Sequence, residues 1–147
     1  MTKIELANIL SEILIPIGFK KKGNYWVLNG DKITKMINLQ KSKFDNSFYI
    51  NYGYILNNIP LDGMMHIYNR VASTDKVENL KIEELLNLES NVHDEERRCE
   101  LKKVIFEKLI LKVNSVNTEA DILEGLKKQP HLNNIPMVVR QHFNLLD

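Results

Sequence analysis

Five lysines, a serine and two amides are the residues of this chain best suited to binding chemistry. Lys20, Lys21 and Lys22 stand in a row, and Gln40, Lys41, Ser42 and Lys43 form a second polar run followed by Asn51. Ammonium groups and a hydroxyl are donors suited to a phosphate or carboxylate. If both runs reach one margin of a sheet, Lys20, Gln40, Lys41, Ser42 and Asn51 could frame a pocket for an anion. The plainer reading is that lysines at strand ends keep sheet edges soluble and unpaired. Gln40 and Asn51 could also be buried amides bound to neighbouring backbone groups, since a buried amide needs partners.

The aromatic residues Tyr25, Trp26, Phe48, Tyr49, Tyr52 and Tyr54 lie beside these lysines. Exposed rings next to cations could stack the bases of a single-stranded nucleic acid. Aromatics are enriched in any strand, however, and half of these fall on the expected core face, so nucleic acid is not favoured. His66, His93, His131 and His142 include no pair at the tight spacing of a zinc helix, and Cys99 is the single cysteine, so no metal is expected. Asp62, His66 and Arg70 recur every four residues and would line one face of a helix, where a solvated stripe is the ordinary outcome. The run His93-Asp94-Glu95-Glu96 reads as acids at a helix N-terminus, where the helix dipole favours them. There is no glycine-rich phosphate loop, no nucleophile elbow and no lysine three residues after Ser42. Cys99 follows Arg97 and Arg98, but no base stands near it in sequence. No cofactor and no catalytic residue is nominated.

The elements that would position these groups follow from spacing. Thr2 with Glu5 is a capping pattern, and Leu6, Ile9, Leu10, Ile13, Leu14 and Ile17 follow at helical spacing. Pro16 and Gly18 end that helix. A strand over residues 25–28, the tight-hairpin pair Asn29-Gly30, a return strand over residues 32–41, a turn at Asp45-Asn46 and a strand over residues 48–56 make an antiparallel meander. In the second strand Ile33, Ile37 and Leu39 share a phase with Lys35. In the third, Phe48, Ile50, Tyr52 and Tyr54 oppose Tyr49, Asn51 and Gly53.

Beyond residue 56 the expected elements are mostly helical. Met64, Ile67, Tyr68 and Val71 suggest a short helix, and residues 73–79 leave room for a fourth strand. Ile82, Leu85 and Leu86 suit a short helix, and a longer one spans residues 92–113. Thr118 with Asp121 opens another that ends before Pro130. Pro136 opens a last one with Val139, Phe143 and Leu146 inward. The expected fold is α+β: an N-terminal helix, a small antiparallel sheet of three to four strands, then several helices against one face.

With 147 residues, 44% apolar and 27% charged, one domain spanning residues 1–147 can bury a sizeable core. The longest apolar run near the start, residues 13–17, is too short to span a bilayer, and the early Glu5 does not suit a signal peptide. The single cysteine fits a reducing cytoplasm. A net charge of +1 conceals an asymmetry: residues 18–43 hold seven lysines against Asp31, whereas residues 75–100 hold nine acids against four bases. Such a chain could serve an acidic partner or self-association as a homodimer.

The segments GFKKKGNYW and INLQKSKFDNSFYINYGY resemble the signature of a bacterial domain-of-unknown-function family, number 4304. The residues that carry the resemblance are Gly18, Phe19, Lys20, Trp26, Gln40, Lys41, Ser42, Phe48, Asn51 and Gly53. It is good over residues 4–56 and weaker beyond. The resemblance implies an α+β domain in a mostly bacterial setting and no assigned activity. The expected function is a non-catalytic binding or interaction domain, immunity-like or accessory by analogy, that offers Lys20, Lys21, Lys22, Gln40, Lys41, Ser42, Lys43 and Asn51 to an acidic protein or a small anionic ligand. The alternative is a small enzyme or anion-binding protein with its pocket around Gln40, Lys41 and Ser42.

Overall fold

The computed structural model describes residues 1–145. The Thr2 hydroxyl accepts the Glu5 N–H at 3.2 Å and opens helix α1 (Lys3–Leu14), whose Leu6, Ile9, Leu10 and Leu14 are buried. Pro16 does not break the helix at Ile15, which keeps right-handed helical dihedrals. The chain instead tightens into a 3-10 turn at Ile15–Ile17. Gly18 ends it at φ 106°, a conformation that a residue without Cβ adopts at little cost.

Five antiparallel strands follow: β1 (Lys20–Lys22), β2 (Tyr25–Asn29), β3 (Ile33–Lys41), β4 (Phe48–Leu56) and β5 (Ile67–Arg70), paired in that order. The three expected strands form the centre, and the count of three to four is corrected to five. The lysine row is itself an edge strand paired with β2. The expected helix around residues 64–71 is instead strand β5. Its helical spacing yields to the open edge of β4, where Gly53 opposite Tyr68 lets the backbones meet. A Cβ on Gly53 would stand 1.8 Å from the Ile67 carbonyl oxygen. No strand forms at residues 73–79. The Asp75 side chain accepts the Glu78 N–H and starts α2 (Lys76–Leu86) there.

The Asn29-Gly30 hairpin is wider than a two-residue turn. Asn29 pairs with Thr34, so residues 30–33 make the connection, and Asn57 donates to the Gly30 and Asp31 carbonyls. The long helix begins as α3 (Asp94–Ile105) with three acids in its first turn. It continues through a π-turn at Phe106–Ile110 into α4 (Leu111–Ser115). Thr118 and Asp121 form a full capping box on α5 (Glu119–Lys127). Pro136 is the residue before α6 (Met137–His142), which buries Val139; Leu146 lies outside the described residues.

The helices cover one face of the sheet. Side chains of alternate strand residues point to it, and two apolar clusters form there. The larger joins α1, α2 and the helix through the π-turn to Trp26, Ile37, Leu39, Phe48, Ile50 and Tyr52. The smaller joins α5 and α6 to Ile33, Tyr54, Leu56 and Ile67. Trp26 is fully buried, and its indole N–H donates to the Ser11 hydroxyl at 3.0 Å. Arg97, 1% exposed, fastens α2 to α3 by donating to the carbonyls of Glu84, Leu85, Asn87, Ser90 and Val92.

Candidate functional site

Among the described residues no helix packs on the opposite face of the sheet, although the loop before β5 lays the buried Met65 against Gly53 there. Cross-strand partners share a face, so the register places Lys22, Tyr25, Asn38, Asn51 and Arg70 in one row that crosses all five strands on that uncovered side. Gln40 and Tyr49 form the neighbouring pair. Neighbouring strands lie about 4.8 Å apart, so the two cations at the ends of the row stand on backbones about 19 Å apart.

Asn51 is the pivot of the row. It is fully buried, and its amide donates to Asn38 Oδ1 at 3.1 Å and to Gln40 Oε1 at 2.8 Å. Its Oδ1 accepts Arg70 Nε at 3.1 Å, while Arg70 Nη2 reaches Gln40 Oε1 at 3.3 Å. The guanidinium lies 4.0 Å from the centre of the Tyr49 ring, a cation–π stack. Two amides and a ring therefore fix the exposed Arg70 and leave its remaining N–H groups facing outward. The partners of Gln40 and Asn51 are thus side chains, whereas their sequence suggested backbone groups.

Arg70 has no carboxylate within ion-pair distance among the described residues, nor has any of the seven lysines between residues 18 and 43. The helical layer differs. There Lys81, Arg98, Lys102, Lys103 and Lys108 pair with Glu96, Glu5, Glu12, Glu100 and Glu78 respectively. Part of the helix charge is thus matched within that layer, whereas no sheet cation has a carboxylate partner among the described residues. Arg70 also borders a cleft of about 390 Å³ towards α2, where Asp45 and Glu83 are the other charged liners.

The remaining sequence candidates are distributed unevenly. Lys22 borders a shallow hollow of about 490 Å³ with Tyr25 and Met64 on the uncovered face. Lys41 pairs with the core residue Phe48, so its strand phase is that of the helix-covered side, and it only edges a second hollow of about 420 Å³ at the sheet margin, which Lys3 of α1 also borders. Lys20 lies on the uncovered face, by its pairing with Val27. Lys21 points to the other side, 5.6 Å from the Trp26 ring, and donates to the Gly23 carbonyl. The Lys41 ammonium is tied to the carbonyls of Ser42 and Asp45. Ser42 is buried and its hydroxyl accepts the Phe44 N–H, so it shapes the loop after β3, from which exposed Lys43 projects. The two lysine runs therefore share no single face, and they do not close on one anion.

Arg70 was placed by its sequence on a helical stripe with Asp62 and His66, and that stripe does not exist. His66 is buried, with Nδ1 accepting the Leu56 N–H and Nε2 against the Pro60 carbonyl, so it braces the loop before β5. Lys35 is the other residue whose role the folded chain decides. It lies in the core phase, as the alternation of β3 indicated, and its ammonium donates to the Val113 carbonyl and to Asn117 Oδ1. Burial holds its pKa below the usual lysine value, and the Asp121 charge opposes that shift. No group of three His, Cys, Asp or Glu residues able to hold a metal ion occurs among the described residues, and no helix there is long and apolar enough to cross a membrane.

No curated protein and no solved structure matches the chain. A family model described as "Domain of unknown function (DUF4304)" matches residues 10–107, which takes in the end of α1, the whole sheet, α2, α3 and the row from Lys22 to Arg70. A match over two thirds of the chain, on the residues that build the sheet and its uncovered face, makes this protein a member of the DUF4304 family.

Proposed function

We propose that this protein is a non-catalytic binding domain whose uncovered sheet face takes an acidic segment of a partner protein. The observation that supports the reading is Arg70, held in place by Asn51, Gln40 and Tyr49 and left without a carboxylate. A guanidinium fixed in this way loses little freedom on meeting a carboxylate, which it can grip with two parallel N–H bonds. Lys20 and Lys22 on the same face supply attraction at longer range, and Tyr25, Met64 and Tyr68 supply apolar contact. The shallowness of the hollows favours an extended acidic surface over a small molecule. Cys99, the single and exposed thiol, suits a reducing compartment, and a bacterial cytoplasm is the setting we infer.

The test is a titration of the isotope-labelled protein with a glutamate-rich peptide, followed by amide shifts. Saturable shifts at Lys22, Tyr49 and Arg70 that weaken with salt support the reading. Arg70→Ala should then cost about tenfold in affinity, the effect of one charge-assisted hydrogen bond. Arg98→Ala on the helical layer should leave binding unchanged. Shifts confined to the helices, or none, would remove the proposal, and tighter binding of a single-stranded oligonucleotide would replace it with the nucleic-acid reading.

A further inference from the structure

On the helix-covered side, the sheet and α5 part to leave a cleft of about 290 Å³ beside the edge strand β5. Its floor holds Tyr52 and Tyr54, each 5% exposed, which belong to the two separate apolar clusters, so the cleft lies at their seam. Neither hydroxyl has a hydrogen-bond partner among the described residues. Nor is either among the sealed unpartnered polar atoms, which are Arg97 Nε and Arg140 Nε, so solvent meets them through the cleft. A buried tyrosine normally satisfies its hydroxyl within the protein, and two adjacent ones left open to a cavity are an exception. Burial pushes both phenols up, and the Tyr52 charge adds to the effect on Tyr54, so at neutral pH both can donate.

The amide of Asn69, paired across from Tyr52, and that of Gln129 face the same space. Gly125 lines the cleft from within α5, and the position of its absent Cβ has no atom within 4 Å. Its backbone is not in the left-handed region, so neither conformation nor crowding calls for a glycine there. Glycine weakens a helix interior relative to alanine, and here it leaves open space beside the cleft that a larger side chain would enter. The two charged liners are Lys112 and Asp121, opposite in sign, and the Asp121 carboxylate already accepts the Asn117 and Thr118 N–H groups. The net character is therefore neutral: hydroxyls and amides above walls formed by Ile67, Ile122 and Leu126.

From this geometry we infer that the cleft is a binding site for a small uncharged heterocycle of nucleobase size, with apolar faces and a carbonyl or amide edge directed to Tyr52 and Tyr54. The volume lies at the lower limit for small-molecule sites and excludes a whole nucleotide. This site is on the far side of the sheet from Arg70 and stands or falls independently of the binding face.

The experiment is a titration of the full chain with uracil and with nicotinamide to millimolar concentration, read from Tyr ring and Ile and Leu methyl signals. Saturable shifts at Tyr52, Tyr54, Ile122 and Leu126 are expected with at least one probe. Tyr52→Phe and Tyr54→Phe keep the rings and should each weaken binding about threefold to tenfold, as loss of one neutral hydrogen bond does. Gly125→Leu should abolish the shifts, while Gly125→Ala, which improves the helix without reaching far into the opening, should keep them and not lower the melting temperature. No saturable shift with either probe, shifts located elsewhere, or binding undiminished in Gly125→Leu would overturn the inference.

Discussion

Replacing Asn51 and Arg70 by alanine, singly and together, tests whether the arginine is truly held. Asn51→Ala removes a fully buried amide that donates to Asn38 and Gln40 and accepts from Arg70. Each neutral bond is worth about 1 kcal/mol net, and the bond to the guanidinium, discounted for the exposure of Arg70, about 1 kcal/mol more. The total loss should be about 3 kcal/mol. With a urea slope of about 2 kcal/mol per molar, the unfolding midpoint should fall by about 1.5 M. Arg70→Ala alone should cost about 1–2 kcal/mol, since it also gives up the stack on Tyr49. The double variant should cost less than the two losses added, by a coupling of about 1 kcal/mol, because the shared bond is counted twice in the singles. Urea unfolding followed by Trp26 fluorescence measures all four corners of the cycle. A coupling below about 0.3 kcal/mol would mean that Asn51 does not hold Arg70, and the idea of a preset guanidinium would fail with it.

Three further outcomes follow from the same structure. Gly53→Ala places a methyl group on the Ile67 carbonyl, so it should cost about 3 kcal/mol and strip hydrogen-exchange protection from β5 while α1 keeps its own. Arg97→Met should destabilise by about 3–5 kcal/mol, because the carbonyls at the end of α2 lose a buried cation that donates to them; a loss under 1 kcal/mol in calorimetry would contradict that role. Tyr52 and Tyr54 have folded pKa values above the unfolded value of about 10, so the unfolded chain ionises first, and their contribution is full below pH 10 and declines above it. Tyr54→Phe should make that alkaline decline shallower. Lys35, lowered by burial, acts in the opposite direction, releasing its proton first from the folded chain as pH rises towards about 10.5. The difference between the parent and Tyr54→Phe cancels its effect and isolates the tyrosine.

Much of the fold was legible because its signals are local. Helical spacing placed Leu6, Ile9, Leu10 and Leu14 in the core, and a four-residue pattern announced each of the caps at Thr2 and Thr118. Period-two alternation assigned Phe48, Ile50, Tyr52 and Tyr54 to one face and Asn51 and Gly53 to the other. Gln40 and Asn51 were recognisable as polar groups in need of partners. The edge strands were not legible. Three lysines and the four residues Ile67–Arg70 have too little pattern of their own, and they are strands because β2 and β4 offered unpaired backbone.

The chain's amino-acid order determined by itself the faces, the caps, the central meander and the concentration of positive charge in the strands. These depend on neighbours a few residues apart, whose side chains must share a helix stripe or a sheet face. Tertiary structure alone decided which polar groups complete one another: Arg70 with Asn51 across 19 residues, Lys35 with Val113 across 78, and two tyrosine hydroxyls left open at a seam. A buried donor or acceptor is satisfied by whatever the fold brings within about 3 Å, and that proximity is a property of the assembled chain, with no trace in local spacing.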